Sequence, residues 1–165
     1  MVILIIRKAE LCDLPAMLEI YNYEVEHGVA TFDLHPKSLE ERRPWFEAHG
    51  GSHPLLVADI DGHVAGYASL SAYRPHEAYR STVELSVYVS CEYRRLGIAT
   101  KLMEEILAFA RRDPTIHAVV SVITGGNAAS VAIHEKFGFR LSGTLIDAGY
   151  KLGSYHDVLT YELLV

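Results

Sequence analysis

The chain has 165 residues, half of them apolar and 22% charged, the balance of an ordinary globular protein with enough chain for one core and one domain. Its formal net charge of −6, with basic residues scattered rather than clustered, argues against a nucleic-acid surface. Two cysteines without a CxxC pair argue against disulfides or structural zinc, and the nine histidines, scattered along the chain, read as surface or polar-network residues rather than metal ligands. The opening MVILIIRKAE holds an apolar run of only five residues, with no basic start and no cleavage site, and no run reaches membrane-spanning length. No signal peptide and no membrane partner are expected, and the expected compartment is the cytoplasm.

In chain order, Val2 to Arg7 reads as a buried first strand. Asp13 and Pro15 open a helix in which Leu14, Met17, Leu18, Tyr21 and Val25 keep helical spacing, and Gly28 stops it. The loop Val29 to Asp33 carries Phe32, which reads either as a cover for the core or as a wall of a substrate pocket. Ser38 and Glu41 make a capping-box pattern before a helix that carries Trp45 and Phe46 and ends at Gly50-Gly51. Leu55 to Ile60 and Val64 to Leu70 are strands joined by Asp61-Gly62, a hairpin signal. The loop Ser71 to Ser81 carries Arg74 and Arg80. They read either as solvated cations or as a clamp on a carboxylate, which guanidinium suits through bidentate geometry.

The stretch Thr82 to Met103 organises the rest. Val83, Leu85, Val87 and Val89 alternate with Glu84, Ser86 and Tyr88, the period of a strand, and Ile98, Leu102, Ile106 and Phe109 follow at helical spacing. Between them lies a short basic turn with Arg94, Arg95, Gly97 and Ala99. The first amides of a helix have no intrahelical partner and the macrodipole adds positive charge there. Gly97, without a Cβ, lets a bulky anion approach the backbone. This makes a site for a diphosphate. The turn is neither GxxxxGK[ST] nor a GxGxxG after a first strand, which argues against nucleoside-triphosphate and dinucleotide folds.

Beyond it, Asp113-Pro114 breaks the chain, and the β-branched run Ala118 to Ile123 is a buried strand. Asn127 caps a helix from Ala128 to about Phe137, ended by Gly138. Phe139 to Ile146 and Val158 to Leu163 read as the last strands, separated by Gly149 to Asp157. The fold class is α/β (α+β). One central, mixed but mostly antiparallel, twisted sheet of about seven strands is expected, with helices on both faces and a parallel unit around Gly97.

Two motifs carry a resemblance. Arg94-x-x-Gly97-x-Ala99 resembles the R/Q-x-x-G-x-G/A signature of the GNAT N-acetyltransferases, and Asn127 to Phe139 resembles the N-x-x-[AS]-x-x-[LIM]-[YH]-E-K-x-G-[FY] motif that follows it in the same family. The chain is most similar to the phosphinothricin and methionine sulfoximine N-acetyltransferase branch. The similarity lies in Val29-Ala30-Thr31-Phe32, in Thr82 to Val89 and in Gly149 to Val158. It implies acetyl-CoA as co-substrate, with Arg94, Arg95, Leu96, Gly97, Ile98, Ala99 and Thr100 at its diphosphate and the backbone of Val87, Tyr88 and Val89 along its pantetheine arm. It also implies Asn127, Ser130 and Lys136 as further contacts and a Val89 amide facing the oxyanion. Read from residues alone, Lys136 is equally a solvated lysine. A charged Glu84 among valines reads alone as a solvated strand residue; the resemblance makes it the general base. Where relatives carry a tyrosine acid this chain has His134, which reads either as a proton donor or as a polar contact. The same resemblance places Thr82, Val83, Phe32, Arg74, Arg80 and Tyr155 around a small amino-acid-like amine, and a homodimer is expected by analogy. Three rival readings remain: the same fold acting on a protein N-terminus, polyamine or aminoglycoside, a non-catalytic acyl-CoA sensor, and a partner-binding domain.

Overall fold

A computed structural model describes residues 3–165, and its elements follow the hydrophobic periods of the chain. In order they are β1 (Leu4–Lys8), α1 (Leu14–His27), α2 (Leu39–Glu47), β2 (Leu55–Ile60), β3 (His63–Ala72), β4 (Thr82–Val89), α3 (Ile98–Arg112), β5 (Ala118–Thr124), α4 (Ala128–Lys136), β6 (Arg140–Lys151) and β7 (Ser154–Leu164). The seven strands form one sheet in the order β1-β2-β3-β4-β5-β7-β6. Every pairing is antiparallel except β4 with β5, which is parallel. The α/β class and the mixed, mostly antiparallel sheet therefore agree with the sequence pattern.

The alternation within β4 sorts its side chains onto two faces. Val83 and Leu85 enter the larger core, where α3 lays down Ile98, Leu102, Met103, Ile106 and Leu107. The opposite face of the sheet packs Val57 and Tyr67 against Met17 and Ile20 of α1, with Trp45 and Phe46 of α2 beside them. Each large apolar side chain so buried contributes about 1.5–3 kcal/mol. Helix ends follow their local chemistry. The Ser38 hydroxyl accepts from the Glu41 amide at 3.2 Å while the Glu41 carboxylate accepts from the Ser38 amide at 2.7 Å. Asn127 caps α4 by accepting from the Ser130 amide at 3.2 Å.

Two segments differ from the sequence reading. The first strand is Leu4–Lys8, at the edge of the sheet, and its Ile5 is 53% exposed. A continuous apolar run does not reveal that only one face is covered; Leu4 and Ile6 alone reach the core. The Val2 included in that reading lies outside the described residues. The last two strands are longer than expected, because most of Gly149 to Asp157 is strand. They meet at a two-residue turn in which Leu152 and Gly153 have φ of 51° and 81°, the twist-matched hairpin geometry. Register shifts between Leu141 and Gly143 and between Leu145 and Gly149 break the period-2 pattern that would have revealed them.

Leu102 is fully buried between α3 and the sheet. Leu102→Ala is expected to lower the unfolding free energy by about 2–5 kcal/mol, read from the urea midpoint at unchanged slope.

Candidate functional site

The site starts where two strands part. β4 and β5 pair only through Thr82–Glu84 and Ala118–Val120. The Ser90 amide donates to the Ala65 carbonyl of β3 at 2.9 Å. By the alternation of an antiparallel ladder, Val89 and Val87 turn their N–H and C=O groups the other way, toward the gap that β5 has left. A cavity of about 430 Å³ occupies this gap, lined by Val87, Tyr88 and Val89, by Ala99 and Met103 of α3, by Asn127, Ser130 and His134 of α4, and by Glu24, Val29 and Ala30. Unpaired backbone, two helix starts and an apolar wall thus meet in one cleft.

At the mouth of the cleft, Gly97 caps α3 with φ of 75°, and a Cβ there would meet no atom of the chain within 4 Å. Arg95 also has a positive φ, of 64°. The first intrahelical bond runs from the Lys101 amide to the Gly97 carbonyl at 3.1 Å, so the amides of Ile98, Ala99 and Thr100 precede the ladder and stay free. Arg94 lines the cleft and pairs with Glu24 at 2.6 Å, while Leu96 points outward, 62% exposed. Lys136, at the far end of α4 from Asn127, is exposed and does not line the cleft. The turn can therefore hold an anion through backbone amides, with Arg94 as the near cation.

His134 is buried at the vertex of the gap. Its Nδ1 lies 2.7 Å from the Ser130 carbonyl of its own helix, and its Nε2 lies 2.9 Å from the Ser121 hydroxyl. A carbonyl only accepts, so Nδ1 carries the proton and Nε2 accepts from Ser121. Burial lowers the imidazole pKa, against the opposing Ser130 carbonyl, so the neutral form holds at neutral pH.

Glu84 stands on the opposite face of β4 from the α3 core, half-buried. Desolvation raises its carboxyl above the usual range and the Arg74 guanidinium opposes that shift. Among the arginines of the preceding loop, Arg74 is the one whose charge reaches Glu84; Arg80 is 81% exposed beside Glu77. Thr82 is partly buried, but Val83 is 1% exposed inside the larger core, so the strand's alternation removes its side chain from any amine pocket. Phe32 packs on Gly149 and lies 6.3 Å from the His156 ring. Tyr155 pairs with Tyr150, one step along the hairpin from the Gly149–His156 pair, and so points to the other face. Phe32 and Tyr155 of one chain are not brought together. Sequence reasoning missed Glu24, Ser121, Thr124 and Lys151. The first three carry no pattern of their own, and Lys151 fell in a stretch read as a separator. Among the described residues no cluster of His, Cys, Asp or Glu is arranged for a metal, and no helix is long and apolar enough to cross a membrane.

Comparison with known proteins matches residues 16–139 to the model of the acetyltransferase (GNAT) family. An L-methionine sulfoximine/L-methionine sulfone acetyltransferase of Pseudomonas paraeruginosa is 39% identical over 160 residues, 96% of this chain and 92% of that protein. A ribosomal-protein-alanine N-acetyltransferase from Brucella melitensis superposes with a TM-score of 0.93 at 40% identity, over 98% of this chain and 99% of the other. A phosphinothricin acetyltransferase from Sinorhizobium meliloti, solved with AcCoA, superposes with a TM-score of 0.92 at 34% identity, over 98% and 88%.

The raised carboxyl of Glu84 has a consequence for stability. A group whose folded-state pKa lies above its unfolded value stabilises the fold at low pH and loses that contribution as pH rises through the folded value. Ionised Glu84 therefore costs stability at neutral pH. Glu84→Gln is expected to raise the unfolding free energy at pH 7 by on the order of 0.5 kcal/mol, seen as a higher melting temperature, and the gain should vanish below about pH 4. A melting series over pH 3–8 reads both.

Proposed function

The chain belongs to the acetyltransferase (GNAT) family, and from that premise we propose that it acetylates the free amino group of a small amino-acid-like compound, of the phosphinothricin, methionine sulfoximine or methionine sulfone type. The observation that carries this reading is the juxtaposition of the parted β4–β5 cleft, the Gly97 turn at its mouth and a carboxylate of raised pKa on β4. Acetyl-CoA, the proposed co-substrate, supplies an activated acetyl group. The free amides at the start of α3, with Arg94, suit its diphosphate, and the outward backbone of Val87 and Val89 suits an extended amide-bearing arm laid alongside like an added strand.

Glu84 takes the proton that an α-amino group of pKa about 8 retains at neutral pH. Its raised pKa brings the base nearer that task. Arg74 offers a guanidinium to the substrate carboxylate, and transfer is direct from thioester to amine. The Val89 amide, turned toward the cleft, is the donor this reading assigns to charge developing on the carbonyl oxygen. His134, neutral and with its one proton on a carbonyl, serves position better than acid catalysis, and a thiolate of pKa about 8.5 leaves with little help. The exposed Leu145, Ile146, Tyr150 and Tyr155 of the β6–β7 hairpin suit a second copy of the chain, in keeping with a homodimer working in the cytoplasm.

Free-thiol release from acetyl-CoA tests the reading across methionine sulfoximine, methionine sulfone, phosphinothricin, ordinary amino acids, spermidine, an aminoglycoside and an alanine-ended peptide. Turnover concentrated on the first three is expected. Preference for the peptide or for spermidine overturns the substrate. Gly97→Val should abolish acetyl-CoA binding by calorimetry. Glu84→Gln should lower turnover at pH 7 by about 10²–10⁴-fold with that binding intact, and alkaline pH should restore part of it as the amine sheds its own proton.

A further inference from the structure

The loop between α1 and α2 has no regular backbone pairing, yet three of its successive carbonyls are each taken by a side chain from a different strand. The Thr124 hydroxyl of β5 donates to the Val29 carbonyl at 2.5 Å. The Tyr88 hydroxyl of β4 donates to the Ala30 carbonyl at 3.3 Å. The Lys151 ammonium of β6 donates to the Thr31 carbonyl at 2.7 Å and to the Glu24 carbonyl, in the last turn of α1, at 3.2 Å. The Thr31 hydroxyl in turn lies 2.9 Å from the Tyr21 hydroxyl of α1.

Lys151 is the unusual member. It is 3% exposed, and among the described residues it makes no ion pair. A buried ammonium held only by carbonyls is costly, and its pKa is lowered by burial against the more distant charges of Glu24 and Asp33. Lysine is rarely buried without a partner charge, and two carbonyls from two segments are what this one holds together. Two positions earlier on the same face of β6, Gly149 lies under the Phe32 ring, and a Cβ there would overlap the ring carbons. One stretch of β6 thus both ties the loop down and seats its aromatic residue.

We propose that Lys151 is a positioning residue of the amine site: by fixing the depth of the 29–33 loop it makes Phe32, seated on Gly149, a rigid wall that selects the amine. This deepens the substrate reading above and rests on it. Lys151→Met keeps the length and fill of the side chain and removes the ammonium, whereas Lys151→Arg keeps the charge. Gly149→Ala displaces the ring while leaving the three carbonyl bonds in place.

The test pairs amide hydrogen exchange, which needs no substrate, with steady-state kinetics on the full chain. In Lys151→Met, exchange at the Asp33 amide, which donates to the Thr31 hydroxyl inside the loop, should rise about tenfold or more while the amides of α3 stay protected. The KM for the amine should rise about tenfold with the KM for acetyl-CoA moving less than about threefold, and Lys151→Arg should recover most of the loss. Gly149→Ala should change the ranking of amines without loosening the loop. A loop that stays protected in Lys151→Met overturns the proposal whatever the activity. So does a uniform rise in exchange over the whole chain, which marks Lys151 as a general stabiliser. If Lys151→Met does not fold, an unchanged amine ranking in Gly149→Ala overturns it instead. A loop that loosens locally in a protein that acetylates no member of the panel supports the tie and overturns the substrate reading alone.

Discussion

The parting of β4 from β5 is the constraint on which the rest depends. A sheet leaves backbone groups unpaired only where something else satisfies them. Here the parallel pairing stops at Glu84 and Val120, while β5 stays paired with β7 from Ala118 to Thr124. β5 thus keeps one partner along its whole length and surrenders the other after three residues. The free edge of β4 faces a cleft instead of a strand. Both helices that begin beside it, α3 at Gly97 and α4 at Asn127, bring their unpaired first amides to the same opening. The chemistry of the site follows from topology before any side chain acts.

Three buried or half-buried titratable groups, His134, Lys151 and Glu84, are accommodated in three ways. His134 loses its charge through burial, which outweighs the Ser130 carbonyl at its Nδ1. Lys151 is held by carbonyls alone and has its pKa pulled down by burial. Glu84 finds no direct hydrogen-bond donor in the described side chains, and its carboxyl rises under desolvation with only Arg74 opposing. A carboxylate left underserved in this way is a better proton acceptor than a well-solvated one. The same burial that weakens the fold at this point therefore raises the proton affinity of the carboxylate, which is what the base role proposed for Glu84 requires.

Much of the fold was legible because its signals are local. Asp61-Gly62 fixed the β2–β3 hairpin, Ser38 with Glu41 fixed the start of α2, and the switch from period 2 to period 3.6 between Val89 and Ile98 located the anion turn. The turn and the second motif lie on β4, α3 and α4, the elements that line the cleft. What escaped was set by tertiary register. Val83 and Glu84 are neighbours in sequence but lie on opposite faces of β4, one inside the larger core and one half-buried on the other side, and only the sheet decides which face is which. Arg74 and Arg80 share a loop, yet one short turn at Glu77–Tyr79 sends Arg80 away from Glu84. The bulges in β6 disguised Lys151 as a linker residue.

The last turn of α1 then shows why the two ends of the site are not independent. The Glu24 side chain pairs with Arg94 beside the Gly97 turn, and the Glu24 carbonyl receives the Lys151 ammonium that also holds the Thr31 carbonyl of the 29–33 loop. One residue touches both halves. Gly28, which closes that turn by donating to the same carbonyl at 3.0 Å, has room for no side chain, since a Cβ would overlap the Glu24 carboxylate. Its φ of −130° is open to any residue, so space and not conformation selects glycine here. A side chain at position 28 would displace the Glu24 carboxylate that pairs with Arg94. The stop signal at the end of the first helix thereby sits between the Gly97 turn and the 29–33 loop.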